Sequence, residues 1–174
     1  MTKGSPRIAQ RGNPVRQEII KQTFVVKNGA LTVNGATGVG FGSAVIGDFP
    51  QGNLLFLGAV SYFQFTTADA GVTATFNGDY SIGTVSTIDV DVTDAGEADI
   101  VPSTVLGAAT AKASPTVRGT QSSGALAGVI FDNTDDSLEI NLNLLIDDAA
   151  ISANGVAFVV NGNVTILYSV LGDD

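Results

Sequence analysis

The 174-residue chain contains no cysteine, no histidine and no tryptophan. Without cysteine there is no disulfide framework, and zinc sites built from thiolate or imidazole are excluded. Ser-His-Asp and Cys-His nucleophilic catalysis fall with them. Charge is scarce: Asp, Glu, Lys and Arg make up 14% of the chain, against roughly 25% in an ordinary soluble domain. Beside a hydrophobic share of 44%, that scarcity is the opposite of the signature of disorder. Long apolar runs are also missing. The longest, Leu54 to Val60, falls far short of the roughly 20 residues of a membrane helix. No apolar core follows the basic N-terminus, so neither a membrane partner nor a secretory leader is expected.

The charge that is present is unevenly placed. Lys3, Arg7, Arg11, Arg16, Lys21 and Lys27 are six of the eight cations, and Glu18 alone opposes them, so residues 1–27 carry 6 − 1 = +5. Residues 28–174 hold 2 cations and 16 acids, a net of −14. A basic arm on an acidic body implies that the two ends meet different surroundings. Gly4, Pro6, Gly12 and Pro14 discourage a long helix in the arm, so an extended segment is expected. Nucleic acid is not the expected partner. The cations are sparse, no aromatics interleave them, and the acidic body would repel phosphate.

Beyond the arm, the residues spell strands and tight turns. Five Asn-Gly pairs occur, at 28–29, 34–35, 77–78, 154–155 and 161–162. Both residues tolerate the positive φ of a type I′ turn. The first, third and last lie between strand-like runs and are expected to be hairpins. Leu138, Ile140, Leu142, Leu144 and Ile146 alternate with Glu139, Asn141 and Asn143, giving one dry face and one wet face. Ile88, Val90 and Val92 alternate with Asp89, Asp91 and Thr93 in the same way. Val164, Ile166, Tyr168 and Val170 make a further apolar face. Leu54 to Phe65 reads as apolar on both faces, which suits a central strand or one covered by another subunit. The only rival for a helix is the Ala-rich piece Ser103 to Ala113, weakened by Gly107 and Pro115. The expected fold is all-β, an antiparallel β-sandwich or jelly-roll-like domain over 22–174 with a basic extended arm over 1–21.

Candidate chemistry is thin. Asp89-Val-Asp91-Val-Thr-Asp94, Asp132-Asn-Thr-Asp135-Asp136 and Asp147-Asp148 are acidic clusters. None has the EF-hand spacing, and Asp and Asn are also the usual residues for turning a chain. The structural reading is therefore preferred, with no metal and no cofactor expected. A sandwich hydrolase using an Asp pair would be the enzymatic alternative. Among 16 body acids such pairs arise by chance, and no aromatic platform flanks them, so no enzyme is expected. Gly35-Ala-Thr-Gly38-Val-Gly40-Phe-Gly42 lacks the lysine and spacing of a phosphate loop. Glycines in strands mark bulges or close backbone approach.

Several stretches resemble a family. Gly78-Asp-Tyr-Ser-Ile-Gly83-Thr, Ala98-Asp99-Ile100-Val-Pro102-Ser-Thr and Ser114-Pro-Thr-Val-Arg118-Gly119 are among them. So are Leu138-Glu-Ile-Asn-Leu-Asn-Leu-Leu-Ile-Asp147-Asp148 and the ending Ile166-Leu-Tyr-Ser-Val-Leu-Gly-Asp-Asp174. Over about residues 72–174 the chain is similar to the small decoration or cement proteins of tailed bacteriophages. The resemblance implies a structural virion protein on the outer capsid surface. Its partners would be the major capsid protein and copies of itself, as a homo-oligomer, often a trimer. It implies no active site. The arm residues Arg7, Arg11, Arg16 and Lys21 are the expected partner contacts, on acidic patches of the shell or of an adjacent subunit. The alternative is a head- or tail-fibre-like module that binds a receptor glycan through an exposed aromatic or an acidic Ca²⁺ site.

Overall fold

The computed structural model describes residues 18–36, 38–121 and 128–172. They form nine strands: β1 Ile20–Ala36, β2 Gly38–Asp48, β3 Gly52–Thr66, β4 Asn77–Gly83, β5 Val101–Val105, β6 Val117–Gln121, β7 Ile130–Asn133, β8 Glu139–Ile151 and β9 Val156–Gly172. Every pairing is antiparallel. The strand order is β5-β4-β8-β2-β1-β9-β3-β6, with β7 also on β3. Two layers result, because β1 belongs to both. Its residues 20–33 pair with β9, and only residues 34–36 pair with β2. The antiparallel all-β sandwich read from the alternation is the fold. Ser103 to Ala113 is not helical; its first residues lie in β5 and the rest is connection.

The core lies between the layers. β8 lays Ile140, Leu142, Leu144 and Ile146 against it, all fully buried, as their alternation requires. β9 contributes Val156, Phe158, Val160, Val164, Ile166 and Tyr168 from one parity throughout. Aromatic rings join the layers. Tyr80 of β4 packs on Phe63 and Phe65 of β3, with ring centroids 5.9 and 5.7 Å apart. Its hydroxyl is 2.9 Å from Ser61 Oγ, which satisfies both buried oxygens.

Leu54 to Phe65 is apolar on both faces, but its residues do not keep one parity along the strand. A bulge lies between Phe56 and Gly58 in the β3–β9 ladder. The extra residue, Leu57, flips the parity of the strand. Leu54 and Phe56 face the core before the bulge; Ala59, Ser61, Phe63 and Phe65 face it afterwards. The outward set is Leu57, Val60 and Tyr62, which is half-buried to exposed. One face lies on the core, and the outward face is apolar as well, with Leu55 beside this set.

β1 uses the same device, and here the hairpin expectation is corrected. Asn28-Gly29 is a bulge inside one continuous strand. Phe24 and Val26 lean inward before it, Leu31 and Val33 after it. Asn161-Gly162 stands opposite in β9, also inside a continuous strand. The Asn28 backbone N–H donates to Asn161 Oδ1 at 2.9 Å. Asn77-Gly78 begins β4 and pairs with β8, so it too makes no hairpin. The pairs at real chain reversals are the other two. Asn34-Gly35 borders the β1–β2 reversal, and Asn154-Gly155 forms the β8–β9 reversal, where Gly155 has φ 78°. These two are linked, Gly35 N–H donating to Asn154 Oδ1 at 3.0 Å. Asn and Gly suit a bulge as well as a turn, since both tolerate positive φ.

The glycines of 35–42 serve close backbone approach, as expected. A Cβ on Gly42 would stand 2.0 Å from the Thr32 carbonyl oxygen, and one on Gly35 2.2 Å from that of Val39. The two layers meet at this corner.

The bulge makes a measurable contrast. Val60 shares parity with Phe56, yet only Phe56 is inside. Phe56→Ala and Phe63→Ala should each cost about 3–5 kcal/mol in denaturant unfolding. Val60→Ala should cost about 1 kcal/mol or less. Equal costs for Phe56 and Val60 would mean the parity does not switch.

Candidate interaction surfaces

Of the four arm residues, Arg7, Arg11 and Arg16 lie outside the described residues. Lys21 stands in β1, exposed, opposite Leu167 of β9.

The acidic clusters do not converge. Residues 88–92 are not the expected strand but a series of bends in the connection from β4 to β5. Asp89 Oδ1 accepts from the Asp91 N–H at 2.9 Å, and Asp91 Oδ1 accepts from the Thr93 N–H at 2.8 Å. Both carboxylates are therefore turning the chain. Asp132 repeats this with Thr134, 3.1 Å from its N–H and 2.8 Å from its hydroxyl. Asp147 lies in β8 opposite Asn77, and Asp148 follows it in the strand. Among the described residues, no three of His, Cys, Asp and Glu come together as a metal site would require.

The wet face expected for β8 is also corrected. Asn141 and Asn143 are buried, because the connection 84–99 folds over them. Asn143 Oδ1 accepts from the Thr87 N–H at 2.9 Å, while its Nδ2 donates to Val85 O at 3.0 Å and to Glu97 O at 2.9 Å. Asn141 Nδ2 reaches Thr84 O at 3.4 Å. An amide side chain offers donors and an acceptor together, so one Asn can hold a backbone segment that has no strand partner. The peg was missed because alternation alone does not say whether a polar face meets water or backbone.

Glu97 belongs to this connection and is 4% exposed, and its Oε2 has no hydrogen-bond partner among the described residues. Burial holds its carboxyl above the ordinary range, a Thr87 hydrogen bond offsets part of that, and Asp94 and Asp89 push it further up. Asp99 is also raised, by burial, against hydrogen bonds from Thr84. A raised carboxylate disfavours the folded state when ionised, so stability rises as pH falls through the folded value. Asp69, Asp91 and Asp132 are held low by hydrogen bonds at the exposed surface. Their contribution is lost only as pH falls below the ordinary Asp value of about 3.9.

Two grooves lie elsewhere. The first is a seam between β1 and β2. These strands touch at the Gly42–Thr32 corner and then part, β1 toward β9 and β2 toward β8. The Phe24 ring rests on Gly47 at the lower end, where a Cβ would come within 2.2 Å of it. Between these points is a groove of about 330 Å³ with Val25, Ala30, Ala44 and Ile46 on its walls, Leu142 and Val160 on its floor and Lys27 at its rim. The second, about 500 Å³, is a shallow depression on the outer face of β3, β6 and β9. Leu57, Val60 and Leu167 line it, with Arg118 and Thr120. Beside it the exposed Tyr62 ring has the Arg118 guanidinium 6.0 Å from its centroid. Neither groove is lined by a carboxylate.

No family model matches the chain, and no curated protein matches it. Among solved structures, it is similar to a chain in a structure of infectious bursal disease virus, Gx strain. The identity is 12% and the TM-score 0.39, over 86% of this chain and 32% of that one. This chain thus spans about a third of the length of that one. A likeness of this degree assigns no family.

The buried carboxylate gives a pH test. In chemical denaturation, the wild-type midpoint should rise as pH is lowered toward the ordinary Glu value of about 4.3. Glu97→Gln removes the charge at the same size, so the variant should be more stable at pH 8 and its rise should be smaller. An unchanged slope would show that Glu97 is not strained by its burial.

Proposed function

We propose that the protein is a structural component of a virion, a capsid decoration or cement protein that stabilises a phage head from outside by bridging major capsid subunits. The observation that carries this reading is the charge split. Residues 1–17 hold four cations and no acid, whereas residues 18–174 hold 4 cations and 17 acids, a net of −13. Such a chain is built to hold acidic protein with one end while presenting an acidic body elsewhere. The sequence resemblance to phage decoration proteins supports it. So does a sandwich whose polar clusters are spent on turns and on pegging a connection. The work is mechanical. A protein that binds only the assembled shell stabilises it by mass action.

Glycan binding is the second reading, and one observation favours it: Tyr62, 42% exposed, beside the shallow outer groove. Glycan-array binding lost in Tyr62→Ala would support that reading over the first.

Deleting residues 2–17 tests the first reading and leaves β1 intact. The variant should keep its cooperative unfolding, and its affinity for capsids stripped of this protein should fall at least tenfold in co-sedimentation at about 0.1 M salt. Because the contact is electrostatic, wild-type binding should also weaken as salt rises. Full affinity in the truncated chain would refute the role of the arm.

A further inference from the structure

We infer that the seam between β1 and β2 receives the N-terminal arm of a second copy of this chain, with Ile8 seated in the groove. The inference rests on the arm reading above and names the surface the arm meets.

The seam has the chemistry of a strand acceptor. Among the described residues, β1 pairs with β2 only at 34–36, so residues 20–33 leave one backbone edge unpaired. β2 likewise pairs with β8 alone below Phe41. Exposed edges of this length are templates for another strand. Between them the groove opens onto core residues Leu142 and Val160, so an aliphatic side chain entering it would bury apolar surface against them.

The arm has the matching content. Ile8 is the only large apolar residue between Thr2 and Pro14, and Arg7 and Gln10 flank it. Laid antiparallel to β1, and so parallel to β2, a segment with Ile8 at the level of the inward-facing Ala44 carries Arg11 to the level of Asp48, because β2 holds one extra residue between Val45 and Gly47. Asp48 is exposed and stands opposite Glu139 in the β2–β8 ladder. The cation therefore meets two carboxylates at the foot of the groove, while the apolar residue meets its floor.

The arm of the same chain does not reach. To run antiparallel to β1 it must reverse, and Gln17-Glu18-Ile19 contains no turn-forming residue. The turn formers are Gly12, Asn13 and Pro14. A two-residue turn at 13–14 pairs positions whose numbers sum to 27, which sets Met1 opposite Val26 and Ile8 opposite Ile19. Ile8 then lies outside the groove. An arm from a neighbouring copy has no such limit, since 17 extended residues span about 55 Å.

The cysteine-free chain makes the test clean. Ile8→Cys in one tagged population is mixed with Ala30→Cys, Ala44→Cys or Val45→Cys in another, without capsids, under mild oxidation. The expected result is a covalent dimer carrying both tags with at least one of the three acceptors. In a parallel measurement, Ile8→Asp should raise the concentration needed for self-association about tenfold or more, with cooperative unfolding unchanged. A disulfide formed only within one chain, in the doubly substituted Ile8→Cys/Ala44→Cys protein, would overturn the inference in favour of the chain's own arm. Absence of any disulfide, with self-association unaffected by Ile8→Asp, would overturn it outright. Capsid co-sedimentation of the same variants keeps the two proposals apart: the cross-chain disulfide without capsid affinity sinks the virion reading alone.

Discussion

The sandwich depends on two bulges that let strands of mixed parity serve one core. β9 runs through the middle of its layer with a single inward parity. Its neighbours β1 and β3 each change parity once, at Asn28-Gly29 and at Leu57. Without those changes, either Leu54 and Phe56 or Phe63 and Phe65 would face solvent, and the same would hold for the two halves of β1. A one-residue slip moves every following side chain to the other face. At about 1.5–3 kcal/mol for each large apolar side chain buried, the loss of two would be a large part of a typical domain's stability.

The bulges also shape the surface. β1 pairs with β2 only at its far end, where Gly35 and Gly42 admit backbone against backbone. Below that corner the layers part and the seam opens beside the Asn28-Gly29 bulge. The outer face of the β8 layer took the opposite course and was covered from within the chain. The connection 84–99 is bound there by Asn143, at the expense of a buried carboxylate, Glu97. One layer is therefore closed by its own loop, and the other side offers free backbone edges to a partner.

Much of this was legible in the residues. The alternation of Leu138 to Ile146 and of Val164 to Tyr168 identified two core strands, because period two has one geometric meaning when the run is long. The antiparallel all-β class followed from it. Asn-Gly was legible as a site of positive φ but not as a hairpin, since the same backbone freedom serves a bulge when a long partner strand runs opposite. The two-faced appearance of Leu54 to Phe65 hid a parity switch that only pairing with β9 reveals. Ile88 to Val92 looked like a strand by alternation, yet its Asp residues bend the chain through their own hydrogen bonds. The polar face of β8 looked wet because nothing in Asn141 or Asn143 announces the segment that covers them. The charge split was visible from the start, and the seam that suits the arm was not, because it exists only where two strands from different layers diverge.

The proposed role of this chain is adhesion in a viral shell. The most direct measurement is a reconstruction of viral particles from the source that encodes this chain. The account predicts a nine-stranded sandwich on the outer surface at repeated positions, with density leaving the start of β1 toward a neighbouring subunit. Complete particles with no copy of this chain in their shell would contradict it.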